Sequence, residues 1–430
     1  MKNSLNLRQE LIKSFLGVGT MYVLAIPVGL LTNIILARTL GPVLFGQYIF
    51  VLAMLWLLAL PSMGGVLQLL TREVAAFKHA GEWALYRGVV RAAHAWVLLM
   101  ALLVLATYIV AGPITGLMPV DGKWALLGIV ILLVPLQSLH AVRNGTIKGL
   151  GFPALAEMPT QALQPIILLL VFAVLAAFGV LTAPWALWAQ VGVAALTLCI
   201  ASILFCRLRP QVAADCEPAY RPRDWLMALL PFTLISLVGT FNTQIGIVLL
   251  GTLGTDEAVA VFRIGERGGR FVALSLGLVN MVISPHIVRT YREGNLQRLQ
   301  QLSRQSARGA FMIALPISLI LIVFGRPIIQ FTFGEDYAGA YLPMVILVIG
   351  ELFSVGFGSV GVLLSMSGNE KLTLWGQLAG LGVTGALAAI LIPFYQAIGA
   401  AIAVVSGLVV WNIVLGYSVF RNLKIRPGII

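Results

Sequence analysis

The chain has 430 residues, of which 60% are hydrophobic and only 10% charged, and it carries a formal net charge of +12. About a quarter of the residues of a water-soluble domain are charged. This composition cannot clothe a soluble surface, so the solvent for most of the chain is lipid.

A membrane-crossing helix needs about 20 apolar residues. Runs of that kind predict twelve spans, at 14–36, 46–70, 92–112, 124–142, 160–181, 185–206, 226–250, 258–285, 310–333, 341–366, 372–392 and 396–420. The runs are continuous rather than short and alternating, which excludes barrel strands and leaves helices. The first run is too long for a signal-peptide core and has no small-residue cleavage pattern after it, so it reads as the first span.

The basic excess has two readings, nucleic-acid binding and loop charge on the cytoplasmic side, and position decides between them. With the amino terminus inside, 22 of the 28 Lys and Arg fall in cytoplasmic segments, from Lys2, Arg8 and Lys13 to Arg421, Lys424 and Arg426. Arg38, Lys123 and Arg326 fall outside, and Arg263, Arg267 and Arg270 fall within a span. The bias predicts a multi-pass protein with both termini in the cytoplasm, and no nucleic-acid partner. Cys199, Cys206 and Cys216 fall on the reducing side, so no disulfide is expected. His79, His94, His140 and His286 are scattered without ligand spacing, and no metal site is predicted.

The stretch 207–224, RLRPQVAADCEPAYRPRD, is the longest polar interruption and reads as a linker. It separates an N-terminal six-helix lobe, 1–206, from a C-terminal one, 225–430. Thr39-Leu40-Gly41 matches Thr252-Leu253-Gly254 at an offset of 213. Phe77-Lys78 with Gly81 parallels Tyr291-Arg292 with Gly294, and Ile147–Gly151–Leu155 parallels Leu364–Gly368–Leu372. The predicted fold class is therefore all-α and polytopic. Two bundles of like orientation would be related by a pseudo-two-fold axis along the membrane normal, with a central cavity between the lobes for alternating access. The basic loops 71–91 and 286–309 read as helices lying along an anionic lipid leaflet.

Chemistry concentrates in Ala258–Pro285. Arg263, Glu266, Arg267 and Arg270 recur at helical spacing near one face of a span. A charge at bilayer depth costs about 2.5 kcal/mol or considerably more, so this face must meet water or partner groups. Arginine keeps its charge and forks onto two phosphate oxygens, which suits a diphosphate. One glutamate cannot neutralise three arginines. Glu351, inside the tenth span, is a candidate second anion or a carrier of a coupling ion. Gly265, Gly268 and Gly269 permit close packing or a local break. Asn33, Asn242, Gln244 and Asn280 are candidate polar lining residues, or interhelical hydrogen-bonding groups. Arg38 and Arg326 sit at outer helix ends, where they either snorkel or meet a phosphate at the outer exit.

Between the first two spans stand Leu36-Ala37-Arg38-Thr39-Leu40-Gly41-Pro42 and Phe45-Gly46-Gln47-Tyr48, then Gly64-Gly65 leading to Thr71-Arg72. This pattern resembles the polysaccharide-export (O-unit or oligosaccharide) flippases of the multidrug/oligosaccharidyl-lipid/polysaccharide exporter superfamily. The resemblance implies a polyprenyl-pyrophosphate-linked oligosaccharide as substrate, moved from the inner to the outer leaflet of a bacterial cytoplasmic membrane. It also implies a cationic cavity, with polysaccharide polymerase and glycosyltransferases as working partners and no cofactor. A cation-coupled small-molecule exporter of the same fold is the alternative. Against it, spans one to six show no acid in their interiors. A saccharide polymerase or ligase would want a large outer loop, and the outer loops here are short, so no enzyme is expected.

Overall fold

A computed structural model describes residues 2–115, 122–212 and 216–429 of the chain. The side chains of Lys2, Arg8 and Lys13, and residues 116–121 of the expected second outer loop, lie outside the described residues. Among the described residues all regular structure is helical.

The helices run in chain order α1 (Lys2–Leu58), α2 (Leu60–Met63), α3 (Val66–Ala80), α4 (Trp83–Thr115), α5 (Lys123–Val130) and α6 (Leu133–Gly149). Then come α7 (Pro153–Glu157), a π-helical stretch Met158–Leu163, α8 (Gln164–Ala177), α9 (Ala183–Leu208) and α10 (Pro222–Leu253). The rest are α11 (Asp256–Arg292), α12 (Leu296–Phe333), a 3-10 stretch Glu335–Ala340, α13 (Tyr341–Phe357), α14 (Val360–Met366) and α15 (Glu370–Leu423).

Among the described residues nine helical segments are long and apolar enough to cross a membrane, and the bent pair α5–α6, taken as one span, makes a tenth. Two of the ten are too long for one crossing. The 54 residues of α15 extend roughly 80 Å at 1.5 Å per residue, against a hydrocarbon core of about 30 Å. This helix breaks at Gln396 (φ 47°), and α1 breaks at Gly41 (φ 74°). Reading each as two spans gives the expected number, twelve, although several boundaries differ from the expected ones.

The basic stretches 71–91 and 286–309 are not separate surface helices. Thr71–Ala80 completes α3 and Trp83–Arg91 begins α4, with a turn at Gly81–Glu82 between them. Likewise α11 and α12 extend into the second stretch and leave only Glu293–Asn295 as a turn. Left-handed glycines, Gly81 (φ 72°) and Gly294 (φ 69°), allow both turns.

Packing divides the chain into two compact units, 1–40 with 51–237 and 41–50 with 238–430. The division lies inside α10 rather than in the 207–224 linker. In the first unit, Trp225 and Leu229 at the start of α10 join a core of α3, α4 and α6 that contains Leu70, Val74, Val89 and Val142. Thr233 Oγ1 donates to the Gly64 carbonyl at 2.9 Å. In the second unit, Phe45 and Tyr337 pack edge to face at 6.3 Å, and Gln47 Nε2 donates to Asp256 Oδ2 at 2.9 Å. The second unit has a further core of Ile287, Leu299, Leu363, Leu415 and Val419. Many large apolar residues remain exposed, Leu99, Leu102, Val323 and Phe331 among them, as a lipid-facing surface requires.

The three sequence matches between the halves share backbone behaviour. Thr39 and Thr252 both turn their hydroxyls back onto carbonyls three and four residues earlier. Gly81 and Gly294 share positive φ, as do Gly151 (95°) and Gly368 (80°).

Candidate functional site: a cationic face on one membrane helix

The N-terminus of α11 is held by the motif that carries the resemblance. The Thr255 side chain caps it by accepting from the Ala258 N–H at 3.2 Å. Gly46 lies against it so closely that a Cβ there would fall 1.7 Å from the Asp256 carbonyl oxygen. Gly251 is equally constrained, with the Phe50 ring 2.1 Å from where its Cβ would be. Gln396, at the break in α15, accepts from the Thr255 N–H at 3.0 Å. Gln47, Asp256 and Gln396 escape a sequence reading because their partners are remote in the chain. The one available signal is Gly46 within the Phe45–Tyr48 motif.

Along α11 the glycines and the arginines occupy opposite faces. At 100° per residue, Gly265, Gly268 and Gly269 cluster roughly half a turn from Arg263, Arg267 and Arg270. The glycine face packs on α13. A Cβ at Gly268 would meet Met344 Cγ at 2.5 Å, one at Gly265 the Met344 nitrogen at 3.0 Å, and one at Gly269 Leu347 Cβ at 3.3 Å. The helix is continuous through this stretch, so the glycines serve close packing and not a break.

On the other face Glu266 ties two arginines. Arg263 Nη1 donates to Oε2 at 2.8 Å, and Arg270 donates to Oε1 through Nη2 at 2.8 Å and Nε at 3.3 Å. Arg263 and Glu266 are mostly buried, whereas the Arg270 side chain is 45% exposed. Arg267 is half-buried, its Nε lies out of contact with solvent, and it makes no hydrogen bond or ion pair among the described residues. Glu351 stands close by, its Cγ 3.6 Å from a Cβ position at Gly269, yet it forms no ion pair with any of the three arginines among the described residues. The face therefore keeps more positive than negative charge within a helix apolar enough to cross a membrane.

The remaining candidates are dispersed. Asn33 and Asn242 donate back to carbonyls of their own helices, Gly29 and Val238, at 2.6 and 2.9 Å. Gln244 is half-buried on α10. Asn280 accepts a short hydrogen bond from Ser359 and lines a cavity of ≈ 430 Å³ with Ser354, Gln377 and Asn412. No arginine of α11 lines that cavity. Arg38 is exposed one turn before the Gly41 break, and Arg326 is exposed on α12 just before Pro327. Among the described residues no group of three or more His, Cys, Asp or Glu is placed to hold a metal.

One reading is corrected. The fifth crossing begins at Pro153 rather than at 160, and so contains an acid, Glu157. Its residue is 7% exposed, and its carboxylate is paired with Lys148 and approached by Asn144 at 3.4 Å. The lysine arrives from α6, beyond the reach of a reading by periodicity.

Residues 35–342 match the family model described as "Polysaccharide biosynthesis protein". The chain belongs to this family. No curated protein matches its sequence. Among solved structures it is similar to an inward-facing multidrug-resistance MATE family transporter of the MOP superfamily. The TM-score is 0.76 at 16% identity, over 92% of this chain and 94% of that one. It is also similar to the lipid II flippase MurJ in an inward closed conformation, with TM-score 0.72 and 14% identity over 93% and 87% of the two chains. A third similar structure is a MOP superfamily transporter from Pyrococcus furiosus, with TM-score 0.61 and 16% identity over 95% and 94%. This member of the polysaccharide biosynthesis family is thus a multi-pass membrane protein with the fold of the MOP superfamily transporters.

Proposed function

We propose that this family member is a flippase. It moves a polyprenyl-pyrophosphate-linked oligosaccharide from the inner to the outer leaflet of a bacterial cytoplasmic membrane by alternating access, with both termini in the cytoplasm. The observation that carries the reading is Arg267, a half-buried guanidinium on a membrane helix that pairs with no carboxylate among the described residues. It sits between two arginines that already share Glu266. Leaving that charge uncompensated is costly, and a diphosphate offers two adjacent anionic groups to a forked donor. Family membership and the resemblance in Leu36–Tyr48 support an oligosaccharide as the cargo. The polymerase and glycosyltransferases that would make and use such a cargo are the expected working partners.

The test is deletion of the gene in its native host, with lipid-linked saccharide located by leaflet. The expected result is intermediate held in the inner leaflet and loss of surface glycan. Wild type should restore export and Arg267→Ala should not, although the variant inserts normally. Full export with Arg267→Ala would overturn the role given to that residue.

One observation favours a second reading, a cation-coupled exporter of small molecules. Glu351 lies in the span without an ion-pair partner among the described residues, as a carboxylate that takes up and releases a cation would. Under that reading the deletion strain loses resistance to toxic compounds and keeps its surface glycan.

A further inference from the structure

A second collection of positive charge lies in the first unit, on α4 and the end of α9, and plays no part in the reading above. A cavity of ≈ 260 Å³ is lined by Tyr86, Arg87, Arg91, His94, Phe205 and Arg209, together with Val90 and Pro210. Three of the eight lining residues are arginines and none is an acid. The arginines differ in how they are held. Arg87 Nη1 donates to the Cys216 carbonyl at 2.5 Å, which anchors it at the rim. Arg91 and Arg209 are exposed and have no ion-pair or hydrogen-bond partner among the described residues.

The wall behind them is built to stay cationic. Arg143 stacks over Phe205 at 4.7 Å, donates to Ser202 Oγ at 3.1 Å, and reaches His94 Nε2 at 2.6 Å. His94 Nδ1 is 2.6 Å from the Val90 carbonyl, so Nδ1 carries the proton and Nε2 accepts from Arg143. The imidazole is neutral and adds no counter-charge. Tyr86, on the same wall, has a buried hydroxyl with no hydrogen-bond partner among the described residues. Free guanidinium forks beside an unused hydroxyl donor form an arrangement that a tetrahedral oxyanion satisfies.

We propose that this cavity binds a phosphate group, either the headgroup phosphate of an anionic membrane lipid or free inorganic phosphate, with Arg91 and Arg209 as its principal ligands. Position relative to lipid agrees. The cavity lies at the basic end of two membrane-crossing helices, where basic pockets between helices take lipid headgroups. The site is separate from the arginines of α11 and does not depend on the function proposed for them.

The test uses the full chain, purified and delipidated in detergent, titrated with dioleoyl phosphatidylglycerol or dioleoyl phosphatidylcholine and read by native mass spectrometry. Phosphatidylglycerol adducts should exceed phosphatidylcholine adducts about ten-fold, and Arg91→Ala/Arg209→Ala should remove most of that difference. Arg421→Ala/Lys424→Ala, an equal loss of charge at another exposed place, should leave it unchanged. Thermal unfolding of the wild type provides a readout independent of any variant: phosphatidylglycerol should raise the midpoint and phosphatidylcholine should not. Inorganic phosphate separates the sources. If it raises the midpoint and displaces the lipid, the site takes free phosphate. If it does neither, the ligand is a lipid headgroup. Equal adduct loss in both double variants, or no preference of the wild type for any phosphate anion, overturns the proposal.

Discussion

Glu266 is the residue on which the cationic face depends. It accepts from both Arg263 and Arg270, and removing its charge leaves three arginines on one face with no direct counter-ion. Breaking a fully buried ion pair costs about 3–5 kcal/mol. With part of this cluster exposed, Glu266→Gln should cost less, about 2–3 kcal/mol, read as a lower unfolding midpoint in detergent. Arg267 should behave in the opposite way. It has no hydrogen-bond or ion-pair partner among the described residues to lose, so Arg267→Ala should leave the midpoint unchanged or raise it while export fails, and Arg267→Lys should restore export only in part. A stability change equal to that of Glu266→Gln would place Arg267 in the packing instead. The sequence alone predicted the shared face of these four residues, because charge spacing reads directly on a helix. It did not tell which arginine would lack a partner. That depends on rotamers, and on Glu351 standing close to Gly269 without pairing.

At the scale of single elements, two glycine contacts with different neighbours separate backbone from side-chain tolerance. A methyl at Gly46 would collide with the Asp256 carbonyl oxygen, part of a helix terminus that cannot move aside. A methyl at Gly268 meets the middle of the flexible Met344 side chain. Gly46→Ala should therefore cost about 1–3 kcal/mol. Gly268→Ala should strain the packing too, because Met344 is buried, yet cost less than Gly46→Ala, since a side chain yields where a backbone carbonyl does not and the gain in helix propensity offsets part of the strain. Thermal unfolding of the two variants checks the order, and a reversed order would remove Gly46 as the clamp on α11. The close-packing role of the α11 glycines was one of two options open from composition. The roles of Gly46 and Gly251 were not legible, because their partners are more than two hundred residues away in the chain.

For the whole molecule, an all-helical, many-span plan in two parts was legible from apolar runs. Two things were not. The start of α10 belongs to the first unit because Trp225 and Leu229 complete its core, and residues 41–50 belong to the second because they pack on Asp256, Tyr337 and Gly251. The linker's polarity marks where the chain is wet, which is a different property from where packing changes. Orientation is checked with single cysteines in a chain whose own three are replaced by serine. In intact cells an impermeant maleimide should label Glu335→Cys and spare Glu293→Cys. The opposite pattern would invert the charge argument.

The opposition of faces on α11 limits how that helix can move. Turning it about its long axis would drive Met344 out of the notch left by Gly268 and carry the guanidiniums toward apolar neighbours. In the transport cycle proposed above, this packing favours α11 and α13 moving together.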